Sequence, residues 1–266
     1  MKVTDATGYS FDLPSPPMRI ASWVPSQTEY LIDLGLEDRL IGVTKFCIHP
    51  SGLRTRENQI GGTKNIWRDR LLELRPDLVI ANKEENTRED VEWSRDRFPT
   101  YTTDITDIPS ALEMMNDLAL LCGVHQEGKE WTRRILEGFS LQKERAVRNP
   151  KPMTCLYLIW KDPFMAAGKG NFIGSVLEHA GLQNLIEDTR YPEISIDDIN
   201  RLQPEVIFLS SEPFPFSEKH LEDLHNCLEY SATLKIVDGE MFSWYGSRLI
   251  KTPIYLEKLL GSLDPW

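Results

Sequence analysis

Short apolar runs alternate along this chain with longer stretches in which apolar and polar residues recur at helical spacing. Residues 20–24, 40–44, 78–81, 154–160, 205–210 and 234–237 are compact apolar segments bounded by turn formers, which predicts buried strands, and residues 100–103 read as extended. Between them, residues 26–34, 66–74, 88–98, 108–121, 173–180, 196–201, 218–226 and 248–260 predict helices, with glycine stops at Gly35, Gly123 and Gly181. Strands alternating with helices imply βαβ units and parallel sheets. Residues 1–18 begin polar and end Leu13-Pro-Ser-Pro-Pro17, which reads as a stiff extended arm outside the core.

The pattern is stated twice. Arg19-Ile-Ala-Ser-Trp23, a turn at Pro25-Ser26, a helix ending Leu34-Gly35-Leu36 and Leu74-Arg-Pro-Asp-Leu-Val-Ile-Ala81 are answered by a second series. That series is Thr154-Cys-Leu-Tyr-Leu-Ile-Trp160, a turn at Asp162-Pro163, a helix ending Ala180-Gly181-Leu182 and Leu202-Gln-Pro-Glu-Val-Ile-Phe-Leu209. Repetition in one order predicts two similar Rossmann-like α/β lobes. Residues 125–149 contain no proline and read as a single helix, with Trp131, Ile135, Phe139 and Gln142 on one face and Arg133, Arg134, Glu137, Lys143 and Glu144 elsewhere. At 1.5 Å per residue such a helix spans roughly 36 Å, enough to link both lobes. Asn149-Pro150-Lys151-Pro152 ends it. The expected organisation is an N-terminal lobe at 1–124, a backbone helix at 125–149 and a C-terminal lobe at 150–266, with a ligand cleft between the lobes.

Composition narrows the function. A net charge of −11 argues against nucleic acid and acidic membrane surfaces as partners. The longest apolar runs are of strand length, so no membrane-inserted helix is expected. The opening residues lack the apolar core of a secretory signal, which fits a cytoplasmic protein or a mature form with an added Met. Cys47, Cys122, Cys155 and Cys227 lack metal-binding or framework spacing; Cys122 and Cys155 read as core thiols, and this cysteine usage leans towards a reducing compartment. The five histidines form no i,i+4 pair, so no metal ligands are assigned, and no nucleophile elbow, phosphate loop or zinc-protease motif points to a catalytic residue.

In α/β lobes, ligands lie beyond the carboxyl ends of the strands. The loops there carry Trp23; Lys45, Phe46 and His49; Asn82 and Glu84; Trp160, Lys161 and Phe164; Glu212, Phe214 and Phe216; and Met241, Phe242, Trp244, Tyr245 and Arg248. Trp67 and Arg190-Tyr191 add two further patches. Aromatic rings beside a few charges suit a large, flat, partly polar ligand. Trp23 and Trp160 have a second reading as caps on a core, and Arg248 as a helix-start residue paired with a carboxylate. Ser26-Gln-Thr-Glu29 and Ser195-Ile-Asp-Asp198 read as capping boxes; the alternative is that Glu29 and Asp197 or Asp198 present one acid per lobe to a basic partner.

Arg19-Ile-Ala-Ser-Trp-Val-Pro-Ser-Gln-Thr-Glu29, Asp38-Arg-Leu-Ile-Gly-Val-Thr44, Leu74-Arg-Pro-Asp-Leu-Val-Ile80 and Leu202-Gln-Pro-Glu-Val-Ile-Phe208 together resemble the substrate-binding proteins of ABC importers for cobalamin and ferric chelates. The resemblance covers essentially the whole chain. It implies a monomeric, non-catalytic protein in the periplasm or cell envelope that needs no cofactor of its own, the metal arriving inside a chelate such as cobalamin, a ferric siderophore or haem. It further implies docking on an ABC permease through Glu29 and Asp197. The ligand residues proposed on the cleft loops are Trp23, Lys45, His49, Trp67, Glu84, Trp160, Phe164, Tyr191, Glu212, Phe214, Trp244, Tyr245 and Arg248. Competing readings are a cytoplasmic sensor or sequestering protein for such a chelate, a two-lobed enzyme using Glu84, Glu212 or His49, and a protein-interaction module.

Overall fold

The computed structural model describes residues 1–53, 58–147 and 152–263, side chains 143–147 excepted. The N-terminal segment is not a bare arm. Lys2–Thr4 (β1) and Ser10–Asp12 (β2) pair antiparallel. Asp5 organises the turn between them: its buried carboxylate accepts from the backbone of Thr7 (2.9 Å), Tyr9 (3.0 Å) and Thr102 (3.1 Å), and from Arg95 Nη2 at 2.6 Å. The prolines that suggested an extended arm lie after this hairpin, at 14, 16 and 17.

The chain then runs through Ile20–Ser22 (β3), Pro25–Asp33 (α1), Leu40–Val43 (β4), Gly61–Gly62 (β5), Asn65–Ile66 (β6), Arg68–Leu74 (α2), Leu78–Asn82 (β7), Arg88–Arg95 (α3), Thr100–Thr103 (β8) and Ile108–Leu121 (α4). Strands β4-β3-β7-β8 form one parallel sheet in that order. Every residue of β3 and β7 is buried, as expected of parallel strands covered on both faces. Trp23, Ile60, Ile66, Leu71, Val79 and Val91 pack on one another in this unit's core, each large side chain contributing about 1.5–3 kcal/mol over its exposed state.

Helix α5 runs His125–Val147. Among its described residues Gly128, Thr132, Ile135, Phe139 and Gln142 are buried, and Trp131 is half-buried. The expected stop at Asn149-Pro150-Lys151 and the side chains of Lys143 and Glu144 lie outside the described residues. After it come Thr154–Trp160 (β9), Met165–Ala166 (β10), Phe172–His179 (α6), Gln183–Asn184 (β11), Ile196–Leu202 (α7), Val206–Ser210 (β12), Glu218–His225 (α8), Thr233–Val237 (β13), Glu240–Ser243 (α9) and Thr252–Leu260 (α10). The second sheet has the order β10-β9-β12-β13, with β11 also on β9; β10 alone is antiparallel. Among the described residues no helix is long and apolar enough to cross a membrane.

By its contacts the chain separates into two units. The first comprises Met1–Ile105, Pro109–Arg133 and Tyr245–Arg248; the second comprises the described residues of Thr106–Ile108, Arg134–Trp244 and Leu249–Trp266. Within them the repeat is visible atom by atom. Helix α1 ends with Gly35 at φ +77, Gly35 N donating to Ile32 O and Leu36 N to Leu31 O; α6 ends with Gly181 at φ +76, bonding Glu178 O while Leu182 N bonds Leu177 O. Helices α2 and α7 both end on a left-handed residue, Arg75 (φ 47) and Gln203 (φ 49), before a proline. The acid that follows then ties down the chain at the start of β3 in the first unit and of β9 in the second. Asp77 accepts from Met18 N and Arg19 N at 2.9 Å each, and Glu205 from Thr154 N at 2.7 Å.

Two local expectations need correction. Ser26 does not cap α1: Val24 is the cap residue, Pro25 opens the helix, and Glu29 is engaged elsewhere. The Ser195–Asp198 box, by contrast, is present in both directions. The stretch at 248–260 is not one helix but a 3-10 turn, Ser247–Ile250, followed by α10, because Pro253 fits only a first helical turn.

Candidate functional site

Parallel strands bring the loops at their carboxyl ends to one edge of each sheet, so each unit presents its own set. In the first unit the loop after β4 lies on the β5–β6 hairpin. Lys45 N donates to Gly61 O (2.8 Å), and a Cβ on Gly62 would stand 3.3 Å from Lys45 Cε and 3.4 Å from Phe46 Cε2. Gly61 sits at φ +103, where a side chain would strike Asn65 O at 2.3 Å, so only glycine permits this close turn. Trp67 packs against the same glycine. Lys64 Nζ donates to the Glu84 carbonyl, and Asn86 Nδ2 to Thr63 O (2.8 Å), joining the hairpin to the loop after β7. Lys45, Trp67 and Glu84 are thereby held on one connected surface.

That surface is apolar as well as charged. Phe46 is 47% exposed, Ile48 46% and Trp67 49%. The Lys45 ammonium stands 4.9 Å from the Phe46 ring centre. His49 is half-buried on the same loop. Trp23 is placed differently: its ring is fully buried in the core, and Nε1 has no hydrogen-bond partner among the described residues.

In the second unit Trp160, 40% exposed, meets Phe214 edge-on at 5.7 Å. Phe214 continues to Phe216 (4.8 Å) and His220 (5.2 Å), forming a row of rings from the loop after β12 into α8. Phe164 is half-buried against the apolar core, and Tyr191 is half-buried on the loop before α7. The Glu212 carboxylate faces inward, taking hydrogen bonds from Ser243 Oγ (2.6 Å) and Trp244 Nε1 (2.9 Å). Burial foremost raises its carboxyl above the ordinary value of 4.5, against the lowering effect of those two donors. Trp244 itself is buried.

Tyr245 and Arg248 are also buried, and both belong to the first unit. Arg248 Nε and Nη2 donate to the two oxygens of Glu29 at 2.9 and 2.7 Å, with side chains 8% and 13% exposed. The Glu29 carboxylate is thus occupied by Arg248 rather than open to a partner. Asp197 is exposed at the start of α7. Aligning Leu74-Arg-Pro-Asp77 with Leu202-Gln-Pro-Glu205 puts Asp69, exposed in the first turn of α2 and not singled out by the sequence pattern, where Asp197 stands in α7.

Two hollows lie away from these loops. A cavity of about 590 Å³ in the second unit is lined by Asp107, Gly168, Asn171, Glu178 and Gln183, and one of about 320 Å³ in the first by Asp5, Tyr101, Asp104, Glu113 and Asp117. Among the described residues no group of three or more His, Cys, Asp or Glu side chains is arranged to hold a metal ion.

Comparison with known proteins adds to this geometry. A family model described as periplasmic binding protein matches residues 20–226. A vitamin B12-binding protein of Vibrio cholerae is 25% identical over 203 residues, covering 74% of this chain and 72% of that protein. One from Vibrio campbellii is 28% identical over 201 residues, covering 73% and 71%. Among solved structures, a periplasmic vitamin B12-binding protein of Vibrio cholerae superposes with a TM-score of 0.79 at 19% identity, over 95% of this chain and all of that one. A periplasmic haem-binding protein of Pseudomonas aeruginosa gives 0.79 at 21% identity, over 94% and 95%. A molybdate-binding protein of Haemophilus influenzae gives 0.81 at 15%, over 98% and 91%.

Proposed function

This chain belongs to the periplasmic binding protein family, and on that premise we propose that it is a non-catalytic solute-binding protein for a bulky metal chelate, delivered to an ABC importer. The ligand class is a corrinoid, haem or a ferric siderophore. The vitamin B12- and haem-binding proteins among its relatives support that range. The carrying observation is that each unit holds large aromatic side chains exposed on its strand-end loops, Phe46 and Trp67 in the first and Trp160 in the second. Exposed rings of this size are costly in water and give contact area at low entropic cost to a flat ligand.

Lys45, Trp67, Glu84, Trp160, Phe214 and Tyr191 are the contact residues in this reading. Trp23, Trp244, Tyr245 and Arg248 shape the loops from beneath. The permease-facing acids are Asp69 and Asp197, since Glu29 is engaged by Arg248. The working compartment is the periplasm or cell envelope.

Equilibrium dialysis against cobalamin, cobinamide, haem and several ferric siderophores tests the reading. The expected result is saturable one-to-one retention of one chelate, weakened about tenfold by Trp67→Ala and by Trp160→Ala, as loss of a buried aromatic contact implies. Retention of none of the panel overturns it. Charge reversal at Asp69 and Asp197 is expected to abolish permease binding and leave chelate affinity unchanged.

A further inference from the structure

Glu212 lies two residues after β12, on the loop that carries Phe214, and its side chain reaches across to the segment after β13. These two bonds fall on one oxygen, Oε1, from Ser243 Oγ at 2.6 Å and Trp244 Nε1 at 2.9 Å. Backbone contacts reinforce the crossing. Gly239 N donates to Ser211 Oγ (2.9 Å), Ser210 Oγ donates to Glu212 O (2.5 Å), and Tyr157 OH on β9 stands 3.1 Å from Ser210 Oγ. Position 239 has no space for a side chain, because a Cβ there would lie 2.5 Å from Glu212 Cγ and from Ser210 Oγ. The glycine is what lets the carboxylate pass.

We propose that Glu212 is the positioning residue of the second unit's binding surface: its carboxylate fixes the Trp244 indole and so ties the loop after β13 to the loop that carries Phe214. The consequence for ligand affinity rests on the function proposed above; the tie itself does not. A carboxylate is suited to the task because an indole N–H bonded to an ionised acceptor is stronger than one bonded to a neutral group. The titratable groups acting on it are Asp238 after β13, Glu240 of α9 and Tyr157 of β9; Tyr255 of α10 acts on Tyr157, and its hydroxyl accepts from Asp238 N at 2.9 Å. The charged members of this set are acids, which favour the protonated form of Glu212 and make the tie weaken as pH falls.

The experiment observes the Trp244 indole directly. The chain has seven tryptophans, hence seven indole N–H signals in a nitrogen-15-labelled sample, and loss of one in Trp244→Phe assigns the signal. The Trp244 signal is expected to move as Glu212 titrates in the wild type, to lose that movement in Glu212→Gln, and to shift in Glu212→Ala. Chelate affinity is expected to fall about tenfold in Glu212→Ala and to stay within about threefold in Glu212→Gln, which keeps an acceptor at one atom. An unmoved indole signal in Glu212→Ala overturns the proposal. If that variant does not fold, a pH-dependent shift persisting in Glu212→Gln overturns it instead. A wild type that retains none of the chelates refutes the proposed function, while the indole signal still decides the role of Glu212.

Discussion

Glu29 and Arg248, 219 residues apart in sequence, form a two-point ion pair at 2.9 and 2.7 Å with both side chains nearly withdrawn from water. Removing one partner strands a buried charge, and that cost exceeds the net worth of the pair. Glu29→Ala and Arg248→Ala are each expected to lower stability by about 3–5 kcal/mol. Replacing both by apolar residues of similar volume should restore much of the loss. Urea titration of the four proteins checks this; single variants within about 0.5 kcal/mol of wild type would show the pair to be of no structural weight.

Two serines that look alike in sequence should behave in opposite ways. Ser195 accepts from Asp198 N at 3.1 Å and heads a complete capping box, so Ser195→Ala is expected to cost about 1 kcal/mol. The Ser26 hydroxyl is buried with no partner among the described residues, so Ser26→Ala is expected to be neutral or mildly stabilising. Thermal denaturation of the pair of variants measures the contrast.

The difference between those serines marks what the sequence could reveal. Strands, helices and the duplication were legible because their signals are local: apolar runs of strand length, and Gly35 and Gly181 ending matched helices. The Ser-x-x-acid pattern is local too, but whether it forms a box depends on what else competes for the acid. For Glu29 the competitor arrives 219 residues later, beyond the reach of any window. Strands of two residues, such as Gly61–Gly62 and Gln183–Asn184, carry no periodicity to detect. The rule that ligands sit beyond strand ends picks out the candidate loops, but it does not distinguish an exposed Trp160 from a buried Trp23. The correspondence of Asp69 with Asp197, on which its proposed role rests, was within reach, since it needed only the repeat to be aligned through to its helix start.

Thiol chemistry should follow burial. Desolvation pushes Cys122 and Cys155 up to about 12, and burial raises Cys47 also, despite hydrogen bonds from Thr28 and Thr44. Cys227 is exposed. A thiol-specific reagent at neutral pH is expected to titrate one cysteine in the native protein and all four after unfolding. Rapid labelling of a second native thiol would contradict the packing described for these strands and loops.

Glu212 sets a pH dependence of definite sign. Its folded carboxyl titrates above the ordinary 4.5, so the folded state holds more protons than the unfolded one just above that pH. The stability it contributes is therefore greatest below 4.5 and declines as pH rises through the folded value. Glu212→Gln carries no such titration. Relative to that variant, the wild type is expected to be more stable at about pH 4 than at about pH 7, as urea midpoints at the two pH values will read. The reverse order would contradict the assignment.

The four residues Tyr245–Arg248 complete the first unit, although everything else in that unit lies before residue 134. During synthesis this unit must therefore wait for more than a hundred further residues before Glu29 can meet its arginine. A nascent chain stalled short of that point would hold an acid in a half-built interior. Fragments ending before residue 245 should accordingly be far poorer folders than their length suggests. The timing of this unit's assembly is thus set by residues 245–248, not by the residues before 134.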